Sequence, residues 1–285
     1  MSRRNIFELL TEKYDVVKEM NKIRRIFNKL RFSTIQFSSE KLTLEELFDF
    51  YALPSWKQRG TVFSYKEIKA KLHLPQSFSA LKIEEILLTL EYYINVLFAV
   101  NAKCFNIKNP LALPSYECRM LVSNIDILLE HLNYKPLEFP KEELVILVPK
   151  NPAATAVAEI SSEEIAFAIL KYNHASLKGQ LEEKRKLLVS IANEYEPLLE
   201  KPVEGFKDYF AKTTGLLNNL NIRHNNKAGK NKNEIVAKMS PEELESWYDE
   251  LYQLLLFCVL CKDNYERKGK VSELLKNLKT ELKAK

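Results

Sequence analysis

The sequence is short of glycine, with six among 285 residues against eleven prolines. That is too few for a turn-dense sandwich or a glycine-rich dinucleotide-binding sheet, and it favours helices. Cysteine is scarce too. Of Cys104, Cys118, Cys258 and Cys261, the last two form a C-x-x-C inside the apolar run LLLFCVLCKD. No second pair matches that spacing, so reduced thiols packed in a core are expected rather than a zinc or redox pair. The four histidines, His73, His131, His174 and His224, are scattered and show no ligand spacing, so neither a metal nor a cofactor is expected. G-x-G-x-x-G and P-loop patterns are missing, and no serine sits in a nucleophile elbow. No apolar stretch approaches the roughly 18 residues that span a bilayer. The longest, Leu254 to Cys261, is bounded by Gln253 and Lys262. Glu8, Glu12 and Asp15 interrupt the N-terminus before a signal-peptide core forms. A soluble, cytoplasmic protein with no membrane partner is expected.

What is present suits a packed core: 46% of residues are hydrophobic and 28% charged, which excludes disorder for most of the length. A net charge of +5 is too mild to argue for nucleic acid by itself, so the placement of the charge matters. Apolar residues at spacings of three and four predict a helix from Ser2 to about Leu30, followed by a short, extended RFSTIQFSSEK. Thr43-Leu44-Glu45-Glu46 and Ser64-Tyr65-Lys66-Glu67 read as capping boxes opening helices. Between them, Trp56-Lys57-Gln58-Arg59 reads either as an exposed turn with a buried Trp or as an aromatic-basic contact for nucleic acid. Ile83 to about Phe105 predicts a buried helix, and Ser115 to about Leu132 another, ended by Asn133 and Pro136. YKPLEFPKEELVILVPKNPAATAVAEISS carries four prolines and one β-favouring run, Leu144 to Val148. It predicts a connector with one short strand near 144–148.

Beyond it, Ser161-Ser162-Glu163-Glu164 predicts a long helix that breaks near Lys178-Gly179 and stops at Pro197. A second helix is predicted from about Glu204 to Leu220. Ser240-Pro241-Glu242-Glu243 opens a third, which carries Leu244, Trp247, Tyr248, Leu251, Leu255, Cys258 and Cys261 inward. From Lys262 a solvated or fraying tail is predicted. The expected fold is all-α: an N-terminal helical domain over 1–135, a connector over 136–160, and a C-terminal bundle of about four helices over 161–285.

Chemistry concentrates in LLNNLNIRHNNKAGKNKNE. No acidic residue lies between Asp208 and Glu234, whereas Lys212, Arg223, Lys227, Lys230 and Lys232 do. Asn218, Asn219, Asn221, Asn225 and Asn226 add neutral donors and acceptors. Such a segment can hold phosphate oxygens, with Arg223 as a bidentate fork and His224 as a proton carrier. A solvated loop whose asparagines cap helix ends is the plainer alternative. On the preceding helix, His174 and Lys184 interrupt an apolar seam. Either His174 bonds a backbone carbonyl and Lys184 reaches out to water, or both face a polar pocket shared with Asn218, Arg223 and His224 and completed by Tyr172, Asn173 and Lys178.

From about Glu159 to Asp263, the order of Tyr172-Asn173-His174, the LNNLNIRHN segment and Trp247-Tyr248 resembles the all-α HEPN fold of bacterial abortive-infection proteins. That resemblance implies a metal-independent endoribonuclease toxin of phage defence, working as a homodimer on RNA, with an Arg and a His meeting at the dimer cleft. Arg223 would stabilise the phosphorane, and His224 would serve as base or acid for the 2′-hydroxyl. The family pattern sets the His four to six residues beyond the Arg, a window that here falls on Ala228, Gly229 and Lys230, while His224 is adjacent. His174 is the alternative imidazole. Asn173, Lys178, Lys184, Asn218, Asn219, Asn225, Asn226 and Lys227 are the candidate RNA contacts, and the N-terminal half would sense a trigger or partner. The other reading is a non-catalytic helical module that binds RNA or nucleotide.

Overall fold

The computed structural model describes residues 14–33, 41–105, 116–222 and 234–283, except for the side chains of 33, 104, 105, 234, 235 and 280–283. The fold is mostly α-helical, as expected. Two compact units divide the chain, Met1–Lys150 and Asn151–Lys285.

In the N-terminal unit, α1 (Val16–Lys29) is capped by Asp15, whose carboxylate accepts from the Lys18 amide at 3.0 Å, and it buries Met20, Ile23 and Phe27. It packs against α5 (Tyr116–Leu132). Two short antiparallel strands follow, β1 (Phe32–Ser33) and β2 (Lys41–Leu42). The Thr43 capping box forms in full and opens α2 (Leu44–Leu47), which runs on into a π turn over Phe48–Ala52. At α3 (Tyr65–Lys71) the Ser64 hydroxyl caps Glu67 as expected, but the Glu67 carboxylate takes the Phe63 amide, one residue before the place a capping box requires. The central helix, α4 (Ile83–Val100), is buried on nearly every side, as its all-round apolarity dictates.

The segment expected to be a connector is structured throughout. It holds an antiparallel hairpin, β3 (Tyr134–Phe139) with β4 (Leu144–Pro149), and then α6 (Pro152–Glu159). The division of the chain therefore falls at 150, after the hairpin. The outer edge of β4 is satisfied by a helix. The Leu147 amide donates to Glu91 Oε2 at 2.7 Å, the Val145 amide to Asn95 Oδ1 at 2.9 Å, and Asn95 Nδ2 returns a bond to the Val145 carbonyl at 2.6 Å. Glu91 and Asn95 are one helical turn apart on α4, so they line up with alternate residues of the strand. Trp56 and Gln58 grip the hairpin tip, donating to the carbonyls of Glu143 (2.9 Å) and Glu142 (2.8 Å). That gives the Trp56–Arg59 turn a structural task.

The C-terminal unit contains α6, α7 (Glu163–Lys171), α8 (Leu181–Leu199), α9 (Lys207–Asn219), α10 (Glu234–Lys238) and α11 (Pro241–Lys283). α11 packs against α6, α8 and α9. The predicted long helix is two helices, broken over 172–180 rather than at Lys178-Gly179 alone. Its predicted cap is not made: Ser162 stands at the N-cap without a side-chain bond, because Ser161 Oγ is engaged by the Val157 carbonyl and the Tyr195 hydroxyl. α8 continues past Pro197 to Leu199, since a proline in the last turn forfeits little of the hydrogen-bond ladder. The Ser240 box forms as expected, the Glu243 amide bonding Ser240 Oγ and the Ser240 amide Glu243 Oε2. Along α11, Leu244, Tyr248, Leu251, Leu255 and Cys258 are buried, but Trp247 is 44% exposed and Cys261 half-buried, because both lie on the flank of the inward stripe. The helix does not fray at Lys262. It runs to Lys283, with the side chains of Asn264–Lys279 in solvent, supported by Lys262–Glu266 and Asp263–Arg267 pairs one turn apart.

Replacing Asn95 by Ala is expected to leave both backbone groups of Val145 unsatisfied inside the N-terminal unit. The loss should be about 2–3 kcal/mol of stability by urea unfolding, with the helical signal of the folded state unchanged.

Candidate functional site

The polar centre of the C-terminal unit forms where the α7–α8 turn meets α11. Tyr172 closes α7, and Gly179, with φ +75, provides the left-handed turn that starts the chain into α8. One turn into α8, Lys184 is 6% exposed. Its ammonium lies 2.8 Å from Glu245 Oε1 and 2.8 Å from Asp249 Oδ1, carboxylates one turn apart on α11. Tyr172 donates its hydroxyl to the same Asp249 oxygen at 3.0 Å, and its ring lies 5.2 Å below the ammonium. The Gly179 amide donates to both Glu245 oxygens at 3.0 Å. Tyr172 stacks on Tyr252 at 4.2 Å between centroids, and Tyr252 donates to the Ile169 carbonyl at 2.8 Å.

The electrostatics follow from these contacts. Burial alone would raise the Glu245 carboxyl, but the Lys184 ammonium and the Gly179 amide outweigh it and hold Glu245 below the usual carboxylate range. Burial, joined by the charge and hydrogen bond of Asp249, keeps the Tyr172 hydroxyl protonated far above its ordinary range. One cation facing two carboxylates has no charge to offer a phosphate. Lys184 therefore does not reach out to water but is spent on the ion pairs with α11, while the Arg223 and His224 of the expected shared pocket lie outside the described residues.

His174 is corrected as well. It lies not on a helix seam but at the N-cap of a single 3₁₀ turn, Ala175–Leu177. Its Nδ1 accepts from the Ser176 amide at 3.2 Å and sits 2.7 Å from Ser176 Oγ, which leaves the ring proton on Nε2. With 9% of its surface exposed, it is a buried cap. Asn173 is half-buried and Lys178 exposed beside it. Asn218 is half-buried, and Asn219 Nδ2 donates back to the Gly215 carbonyl at 2.8 Å.

The basic segment has an anchored root. Leu220, Asn221 and Ile222 are all buried at the end of α9, with Asn221 in the left-handed region at φ +62. Arg185 Nε donates to the Asn221 carbonyl at 2.5 Å, tying this root to α8. Nearby, burial pushes the Tyr248 hydroxyl up to about 12 against the opposing charge of Arg185. Arg223, His224, Asn225, Asn226 and Lys227 lie outside the described residues.

Arg185, Glu245 and Asp249 were not singled out in the sequence. The available signal was a core-facing lysine on α8 that demanded a carboxylate, and Glu245 and Asp249 flank the buried Tyr248 at the right spacing. Among the described residues, no group of three or more His, Cys, Asp or Glu is placed to hold a metal ion, and no helix is long and apolar enough to cross a membrane. Comparisons with protein-family models, with curated proteins and with solved structures gave no match.

Lys184→Met should strand Glu245 beside an apolar side chain and cost about 2–3 kcal/mol in urea unfolding, since the more exposed Asp249 regains water. Because Glu245 is held low in the folded state, its contribution is complete above the unfolded glutamate value of 4.5 and is lost as pH falls towards its lowered folded value. The stability gap between the native protein and Glu245→Gln should therefore be widest near neutrality and close in acid, as read from unfolding midpoints across pH.

Proposed function

We propose that the C-terminal unit is a HEPN-like RNA-cutting module of the abortive-infection kind, a metal-independent endoribonuclease toxin in which Arg223 and His224 act at a cleft between two copies of the chain. The observation that carries this reading is the anchored end of α9. Leu220, Asn221 and Ile222 are buried, Arg185 grips the Asn221 carbonyl, and the next two residues in the sequence are the arginine and the histidine. Reactive groups attached directly to a fixed helix end lose little freedom on meeting a substrate. The following stretch to Glu234 carries lysines and asparagines but no acid, which favours a polyanion.

In the proposed reaction His224 accepts the proton of a ribose 2′-hydroxyl as its oxygen bonds to the adjacent phosphorus. Arg223 donates to the non-bridging oxygens as their charge grows. The bond from phosphorus to the 5′-oxygen breaks, and that oxygen takes a proton as it leaves. The products carry a 2′,3′-cyclic phosphate and a 5′-hydroxyl. Asn225, Asn226 and Lys227 are assigned to neighbouring phosphates. His174 and Lys184 have no part in this scheme, the first committed to its turn and the second to α11. That same commitment favours the second reading, an RNA binder that does not cut, because the groups expected to join Arg223 are engaged elsewhere.

Expression of the chain in bacteria should be toxic, and Arg223→Ala or His224→Ala should relieve the toxicity. Purified protein should cleave RNA in the presence of EDTA, and either substitution should slow cleavage on the order of 10²–10⁴-fold, the usual contribution of a positioned acid or base. Full activity after either change would sink the nuclease reading. Salt-sensitive RNA binding with no change in RNA length would establish the binding module instead.

A further inference from the structure

The N-terminal unit contains a cleft of about 670 Å³ walled by α1, α2, α3 and α4. That size lies within the range of small-molecule sites and is far more than a single ion fills. Its most telling occupant is Arg24 on α1. The guanidinium Nε is shielded from solvent and has no hydrogen-bond acceptor among the described residues. A charged N–H buried without an acceptor is costly, and folded proteins rarely leave one. The Arg24 guanidinium also lies near enough to the buried Tyr93 hydroxyl to oppose the upward push that burial and Glu45 exert on it. Arg24 is thus held at the inner wall of the cleft with a donor unused.

The charges around Arg24 decide what could use it. Glu45 is already taken, its Oε1 accepting from Lys69 Nζ at 3.0 Å and from the Tyr92 hydroxyl at 2.9 Å. Glu46 is engaged by the Thr43 amide at 2.7 Å, a bond that holds its carboxyl below the usual range. Glu46 keeps its negative charge, which Arg31 and Lys66 also favour, so the lining sets Arg24, Lys66 and Lys69 against Glu45 and Glu46, with His73 beside them. Lys66 is exposed on α3, where it approaches the Tyr65 ring at 5.9 Å. His73 stands just beyond α3 at φ +51, a left-handed position that helix ends usually give to glycine. Three donors on different parts of the wall, one of them a guanidinium whose Nε is unused, suit a ligand with more than one negative charge on clustered oxygens.

We propose that this cleft binds a phosphorylated small molecule of nucleotide size, its phosphates held by Arg24 and Lys66 with His73 at the rim. The site is separate in sequence from the Arg223–His224 segment and does not depend on the nuclease reading. Tyr65, on the same lining, is available to the polar, uncharged end of such a ligand.

The test is calorimetric titration and thermal shift of the full chain with ATP, ADP, inorganic pyrophosphate and adenosine. ATP, ADP or pyrophosphate should bind and raise the melting temperature as mass action requires, while adenosine should not. Arg24→Gln should weaken that binding by about tenfold or more, corresponding to loss of a charge-assisted contact of about 1.4 kcal/mol. Lys66→Gln, at an exposed position, should weaken it severalfold and decides the matter if the Arg24 variant is unstable. Absence of binding by all three phosphates at millimolar concentration would overturn the proposal, as would equal binding of adenosine. An affinity unchanged in Lys66→Gln together with a folded Arg24→Gln, or one lost equally in Arg223→Ala, would overturn it too. The last result would place the ligand on the other segment.

Discussion

A lysine that cannot reach water determines how the helices of the C-terminal unit meet. Lys184 projects from α8 into a core of Tyr172, Tyr252 and Leu188, and an unpaired ammonium there would cost several kcal/mol. α11 relieves this by bringing Glu245 and Asp249, one helical turn apart, to the same nitrogen. The solution constrains more than one contact. Glu245 must also receive the Gly179 amide, which sets where the α7–α8 turn passes, and Asp249 must receive Tyr172, which sets where α7 ends. A hydrophobic interface tolerates small slides, whereas this arrangement admits one register of α8 against α11. The cost of burying the charges is offset by that specificity, a role that buried polar clusters fill in some proteins and that the shared contacts support here.

The same need to satisfy buried polar groups shapes the N-terminal unit, with neutral groups in place of charge. A two-stranded hairpin leaves one edge of each strand without partners, and such a hairpin is marginal alone. β4 is buried along Val145–Val148, so water cannot serve its outer edge. Glu91 and Asn95 on α4 take the place of a third strand, meeting the amides of Leu147 and Val145. This also explains how Pro136 fits in a strand. Pro136 faces Leu147 across the ladder, at a pair whose Leu147 amide points away towards α4. A missing N–H at such a position removes no bond between the strands.

What could be read from the sequence was what is decided locally. The Thr43 and Ser240 boxes, the all-round apolarity of α4 and the stop at Asn133, with φ +59, each depend on residues within a turn or two. Where a distant partner competes, local reading fails. Ser161 has the sequence of a cap, but Tyr195, 34 residues away, and the last turn of α6 hold its hydroxyl. The break is legible at Lys178-Gly179, but its extent back to 172 is not, because apolar spacing of three and four continues through it and sets His174 and Lys184 on one seam. Of the hairpin, β4 is legible in the run Leu144 to Val148, whereas β3 is hidden by prolines that read as a connector unless the helix covering the edge is known. At the candidate site, the positive stretch after α9 is plain in the sequence, while the ion pairs of Lys184 are not, since nothing near residue 184 indicates that α11 will face it.

Arg24 and Lys184 set the same physical problem and meet opposite answers. Both are long cations drawn into partly or wholly buried surroundings by an apolar helix face. For Lys184 the protein provides two carboxylates, and the outcome is a fastener whose charge is spent internally. For Arg24 the nearby carboxylates are occupied, Glu45 by Lys69 and Tyr92 and Glu46 by the Thr43 cap, so the guanidinium keeps a donor in hand. Exposure does not separate a structural cation from a binding one, and neither does a pattern in the sequence. The balance of acceptors within reach does, and it assigns Lys184 to the fold and Arg24 to a ligand.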